Sequence, residues 1–108
     1  HPQGLKMAAT ATLSPQPGGS VKIVGDLTVA TVPLLYRSGR YLVENADTVL
    51  QMELSEVCQA DSAGLALLID WLAMAQQGGK GVRYVNLPPT LQSLAQLSEV
   101  EGLLTASS

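Results

Sequence analysis

Phenylalanine is absent from this chain of 108 residues, and cysteine, histidine and tryptophan occur once each. Each scarcity excludes something. Without Phe, the core must be built from Leu, Val, Ala, Ile and Met. The lone cysteine, Cys58, permits no disulfide within the sequence. It lies in an apolar segment without a neighbouring histidine, so it reads as a core thiol in a reducing compartment rather than a nucleophile. The lone histidine, His1, is terminal, which leaves no His-based catalytic pair. Charge is sparse as well: 14% of residues are ionic and the net charge is −3. That is the wrong sign for a field that attracts nucleic acid. No apolar run approaches the ~20 residues of a membrane-spanning helix. The longest, Ala63 to Ala75, is interrupted by Gly64 and Asp70. The first residues lack the charged-then-apolar order of a signal peptide. A cytoplasmic protein that does not insert into a membrane is the expectation.

What is present is a strongly apolar chain, 46% hydrophobic, long enough to bury one core and too short for a second domain. Residues 1–7 are expected to be a disordered N-terminus or residues foreign to the native chain, and 8–108 the domain. Ala8 to Leu13 is a weak strand candidate. The turn Pro15-Gln16-Pro17-Gly18-Gly19 follows, and Val21 to Gly25 alternates as a second strand able to close a hairpin. Val32, Leu35, Tyr36, Leu42 and Val43 recur at helical spacing between Thr31 and Asn45. Pro33 is acceptable in that helix's first turn. Thr48 to Leu54 reads as a central strand, Ser62 to Gln77 as a helix ended by Gly78-Gly79, and Val82 to Asn86 as a further strand. Pro88 or Pro89 opens a last helix to Leu97, with a short helical turn expected at Glu99 to Leu104. The order β-β-α-β-α-β-α implies an α/β domain, with helices packed on a mixed sheet of about four strands.

Most of the functional information lies in Asp61-Ser62-Ala63-Gly64-Leu65, at a strand-to-helix junction. The Ser62 hydroxyl is placed to cap the helix by accepting from the N–H of Gly64 or Leu65. The same position suits a phosphoacceptor or a docking point, because a helix N-terminus favours negative charge. Asp61 is placed to organise the turn or orient the hydroxyl. The helix that follows carries two apolar stripes. Leu65, Leu68, Ile69 and Leu72 suit a sheet. Ala63, Leu67, Trp71 and Met74 form a second stripe, which a one-sided helix does not need. That stripe reads as a partner-binding surface with Trp71 as anchor, or as a helix buried more deeply by the last helix.

Other chemistry is poorly supported. Gly78-Gly79-Lys80-Gly81 lacks the spacing and the Ser or Thr of a phosphate loop. Asp47, Glu53 and Glu56 lack metal-ligand spacing with His or Cys. No catalytic residue, cofactor or metal is therefore expected, and the chain reads as a binding module rather than an enzyme.

Leu54-Ser55-Glu56-Val57, then Asp61-Ser62-Ala63-Gly64-Leu65 and Leu67-Leu68, resemble the signature of STAS domains, which include anti-sigma-factor antagonists and cytoplasmic domains of sulfate transporters. The resemblance runs along nearly the whole chain. It implies that Ser62 stands where the family has its acceptor Ser or Thr. Glu53 departs from the family's usual Asp before the Leu-Ser pair. Gly64 to Leu72, Asn86-Leu87-Pro88 and Leu94-Ala95 are similar to the STAS subunit of the Mla phospholipid-transport ABC complex, which maintains outer-membrane lipid asymmetry in Gram-negative bacteria. That branch implies an ABC-transporter ATPase as partner, contact through Asp61, Ser62, Ala63, Leu67, Trp71 and Met74, and a cytoplasmic position peripheral to the inner membrane. The alternative within the family is an anti-sigma-factor antagonist, switched by a partner kinase that phosphorylates Ser62.

Overall fold

The structure is a computed structural model that describes residues 10–97. The expected N-terminal segment 1–7 and the helical turn at 99–104 lie outside the described residues. Strand β1 (Ala11–Pro15) pairs antiparallel with β2 (Val21–Leu27). Their turn is closed by Gln16 N–H donating to Ser20 O at 2.8 Å. Gly18 and Gly19 there take φ of +90° and +91°, a region that only glycine adopts freely. β1 ends later than the expected Leu13, because Ser14 and Pro15 still pair with Lys22 and Val21; Ala8 and Ala9 lie outside the described residues. Pro15 is tolerated at the end of an edge strand, where a missing N–H breaks no ladder.

The chain continues through α1 (Val32–Glu44), β3 (Val49–Ala60), α2 (Ser62–Gln77), β4 (Gly81–Val85) and α3 (Pro89–Leu97). The sheet order is β1-β2-β3-β4, with β2, β3 and β4 mutually parallel. This is the single α/β domain and element order expected from the sequence. Both crossovers step across the sheet in the same direction, so α1 and α2 lie side by side on one face. Ile23, Leu27, Met52, Leu54 and Val82 point to that face and meet Leu35, Val43, Leu65, Leu68 and Leu72 from the helices. Leu91 and Ala95 of α3 complete the core. Buried Tyr84 donates its phenol to the Leu68 carbonyl at 2.7 Å. Burial pushes its pKa well up, so it stays a donor.

The opposite face of the sheet is polar, with Gln51, Glu53 and Arg83 on it and an ion pair of 2.9 Å between Lys22 and Glu56. The Glu56 carboxylate, by hydrogen bond and charge, raises the Lys22 pKa. The pair is open to solvent and adds little stability.

β3 runs six residues past Leu54, where the alternation of its sequence stops. Its register against β2 slips twice, between Lys22 and Val24 and between Gly25 and Leu27, each time with one extra residue on β3. These bulges reset which residues face inward. Leu50 and Met52 are buried before the first, Leu54 within it and Val57 after it. Cys58 therefore falls on the outer side and is exposed, which corrects the expectation of a core thiol. The second bulge brings Ala60 level with Leu27 and so delivers Asp61 to the end of β2.

Helix α2 stops as its glycines suggest. Lys80 N–H donates to Ala75 O and Gly79 N–H to Gln76 O, with Gly79 at φ +73°. This paired reverse bonding satisfies carbonyls that a helix end leaves open. No helix among the described residues is long and apolar enough to cross a membrane.

Candidate functional site at the β3–α2 junction

Only Asp61 separates β3 from α2. Its N–H donates to Leu27 O at 3.0 Å, which holds its backbone extended, at φ −138° and ψ −172°. From that position the carboxylate serves two elements. Oδ1 accepts from Ala63 N–H at 2.9 Å and from Gly64 N–H at 3.1 Å, which caps α2. Oδ2 accepts from Val29 N–H at 3.0 Å, in the loop between β2 and α1. The helix cap is thus Asp61 and not Ser62. Both residue types cap well, and the strand pairing that ends at Asp61 decides between them.

The junction is tight elsewhere too. A Cβ on Gly64 would lie 2.1 Å from Leu27 O, so this glycine is required by the close approach of α2 to β2. Thr31 is wholly buried beneath the same loop. Its hydroxyl donates to Asp26 O at 2.7 Å and accepts from Thr28 N–H at 3.0 Å. Val29 is left at the loop tip, 71% exposed.

With Asp61 as the cap, Ser62 becomes the first helical residue. It is exposed, and its hydroxyl has no hydrogen bond among the described residues. A hydroxyl presented at a positive helix end suits contact or modification. Ala63 is half-buried and Ala66, one turn on, is exposed. No sequence signal pointed to Val29. It joins the site only because β2 and β3 are parallel neighbours whose ends meet at Leu27 and Asp61.

Three of the expected partner residues, Asp61, Ser62 and Ala63, are together at this junction. Met74 is half-buried three turns away, where the other ends of α1 and α2 meet. Leu67 and Trp71 are corrected: both lie in the core, Trp71 with no exposed surface. The cover is α1 rather than the last helix. The Trp71 indole lies directly on Gly39, where an added Cβ would sit 2.0 Å from Cζ2. The indole N–H donates to Tyr36 O at 3.4 Å. A glycine in the middle of an amphipathic helix costs roughly 1 kcal/mol relative to Ala. Gly39 was therefore the available signal that something bulky packs there.

Glu53 stands apart from this site, on the open sheet face opposite Lys22. Its carboxylate accepts from Ser55 Oγ at 2.7 Å and Ser55 N–H at 2.9 Å, and also from Asn86 Nδ2. These bonds, that of the Ser55 hydroxyl foremost, hold its pKa below the usual carboxylate value. The clamp fixes Asn86 at φ +58°, where β4 turns towards α3. Asn tolerates that region better than most residues.

Asp61→Ala should lower stability by about 2 kcal/mol, because it removes the cap of α2 and the tie to the β2–α1 loop together. Ser62→Ala should change it by less than about 0.5 kcal/mol, as for an exposed residue with no bond to lose. Urea unfolding of both variants checks this. A larger loss for Ser62→Ala would return the capping role to Ser62.

A family model described as "Mlab, STAS domain" matches residues 12–105. The chain is 35% identical over 78 residues to the intermembrane phospholipid transport system binding protein MlaB of Haemophilus influenzae, covering 69% of this chain and 74% of that one. This chain belongs to the STAS domain family. Its fold is similar to that of the anti-sigma factor antagonist SpoIIAA in its unphosphorylated form, with TM-score 0.62, 18% identity, and 81% of this chain and 82% of that one covered. It is also similar to the phosphorylated form of SpoIIAA, described as a Bacillus cell fate determinant, with TM-score 0.65, 18% identity, and 88% and 87% covered.

Proposed function

We propose that this chain is a non-catalytic subunit of a phospholipid-transport ABC complex that maintains outer-membrane lipid asymmetry. In this reading it binds and regulates the cytoplasmic ATPase, and reaches the inner membrane only through that partner. The observation that carries the reading is the 35% identity to MlaB, a protein named for intermembrane phospholipid transport. The junction supports it physically. Asp61 fixes two elements rigidly, and on that frame Ser62, Val29 and Ala66 are presented to a partner. A preorganised surface loses little entropy on docking. Contact at this end would favour one arrangement of the ATPase over others by differential binding.

Co-expression of the full chain with the transporter ATPase tests the reading. The two should co-purify at equal stoichiometry, and the chain alone should turn over no ATP. ATPase that elutes without the chain would remove the proposal.

The exposed, unbonded Ser62 hydroxyl at a helix N-terminus favours a second reading: an anti-sigma-factor antagonist switched by a kinase partner. In that case the chain would bind an anti-sigma kinase rather than the ATPase, and ATP in that complex would phosphorylate Ser62.

A further inference from the structure

The sheet has two edges, β1 and β4, and β1 is the less protected. The bonds at the two ends of its hairpin fix which backbone groups face outward. Asp26 N–H donates to Thr10 O at 3.0 Å, and Gln16 N–H to Ser20 O at 2.8 Å. The antiparallel register between them is unbroken, so Thr12 and Ser14 exchange bonds with Val24 and Lys22. The alternate residues, Ala11, Leu13 and Pro15, turn their backbone groups away from β2. Pro15 has no N–H, so the free edge offers the N–H groups of Ala11 and Leu13 and the carbonyls of all three. Proteins commonly blunt such an edge with charge. β4 carries Arg83, whereas Ala11–Pro15 has no charged residue and is guarded only by Pro15 at one end.

Helix α1 lies over this edge. It packs against β1 on one side and α2 on the other. Between α1 and β1 runs a groove of about 400 Å³, lined by Leu13, Pro15, Arg37, Ser38, Tyr41 and Leu42. On the α1 wall, Leu34, Ser38 and Tyr41 recur at i, i+4 and i+7, which places them on one helix face. Leu34 and Tyr41 are each exposed over more than half of their surface. The short side chain of Ser38 leaves room between them. Unpaired backbone groups on one side and an apolar roof above are together what an added strand requires.

We propose that β1 accepts a fifth strand, an extended peptide segment of a protein partner, with alternate apolar side chains lying under α1 against Leu34 and Tyr41. Edge addition of this kind draws affinity from main-chain bonds and selectivity from the space given to every second side chain. Arg37, at the rim of the groove, selects an acidic residue over a basic one in that segment. A second copy does not fit. Joining two β1 strands would set two α1 helices over strands about 4.8 Å apart, whereas packed helices need about 8–10 Å. The sequence ahead of β1 is poorly suited as well. Thr10 is still held by Asp26, so a returning strand would have to turn at Ala8-Ala9, where tight hairpin turns call for Gly or Asn. The site lies on the side of α1 away from α2, apart from the contact proposed at Ser62.

Nuclear magnetic resonance of the full chain with a synthetic peptide, acetyl-Glu-Thr-Val-Thr-Val-Thr-amide, tests this. In the free chain the amides of Ala11 and Leu13 should exchange with solvent at least tenfold faster than those of Thr12 and Ser14. The peptide should shift the Ala11 and Leu13 resonances and slow their exchange at least fivefold, leaving the Ser62 junction unmoved. A strand offers its bonds to one neighbour from every second residue. N-methylation of one alternate set of peptide residues should therefore abolish these effects, and N-methylation of the other set should spare them. A peptide with Lys in place of Glu should bind at least twofold more weakly. Ser38→Trp, which fills the groove from α1, should weaken binding at least tenfold while keeping the wild-type circular dichroism spectrum. Slow exchange of Ala11 and Leu13 in the free chain would show the edge to be covered already, by a segment of this chain or, where the slowing grows with protein concentration, by a second copy. Either result overturns the proposal. So does equal binding of both N-methylated peptides and the parent, or a parent peptide without effect at millimolar concentration.

Discussion

Replacing Trp71 by alanine is expected to lower the unfolding free energy by about 3–5 kcal/mol, the range for removing a large aromatic from a packed core. Trp71 is the largest side chain in the core and has no exposed surface. Its ring fills the space that Gly39 leaves in α1. Removing it opens a cavity between the two helices that cover the sheet, and also leaves the Tyr36 carbonyl without its indole donor. A domain of this size has only about 5–15 kcal/mol of stability to lose, so the variant should unfold at far lower urea or not fold at all. Gly39→Ala probes the same contact from the other side and should cost about 1–3 kcal/mol or more through overpacking. The double variant is informative because a methyl at position 39 points into the space the indole vacates. Its loss should be smaller than the two single losses added together, as for residues in direct contact. A loss under about 1 kcal/mol for Trp71→Ala would show that the indole is not part of the core.

Ser62→Asp should leave the fold intact and, if the proposed ATPase partner is the right one, reduce affinity for it at least tenfold, or about 1.4 kcal/mol. A carboxylate in the first turn is favourable towards the helix dipole, and Asp61 keeps the cap. On the surface the effect is reversed. The new charge would lie beside Asp61, in the proposed contact with Val29, Ala63 and Ala66, where an ion would be poorly solvated. Ser62→Ala, smaller and neutral, should bind within about twofold of wild type if its hydroxyl contributes only marginally. The antagonist reading gives another pattern: Ser62→Asp would imitate a phosphorylated, released state, and Ser62→Ala would remain on the kinase. Affinities of all three proteins for the ATPase and for an anti-sigma kinase separate the two. If no substitution changes binding to either partner, the junction is not a contact site.

The order of elements was legible in the sequence because each was bounded by strong local chemistry. Gly78 and Gly79 end α2 where they stand, and the run from Ser62 to Gln77 is helical throughout. Three features were not legible, and each has a non-local cause. β3 continues beyond Leu54 because bulges reset its alternation, and a rule of period two reads a bulge as an end. Asp61 rather than Ser62 caps α2 because its own backbone is held by Leu27, a partner far away in sequence. The second apolar stripe of α2, taken with its helix alone, fits a partner surface as well as burial under another helix. A helix apolar on nearly all sides is a buried one, and Gly39 in α1 shows where its cover lies.

Trp71 is the only tryptophan in the chain, and its burial against α1 makes it a natural optical probe. Excited near 295 nm, its emission comes from a ring held in a dry environment. Any event that lifts α1 from α2 would admit water to that ring and shift its emission to the red. The Tyr36 carbonyl that receives the indole N–H belongs to α1, so the same event would break that bond. The protein thus carries an unlabelled reporter of whether its two covering helices stay together when a partner arrives.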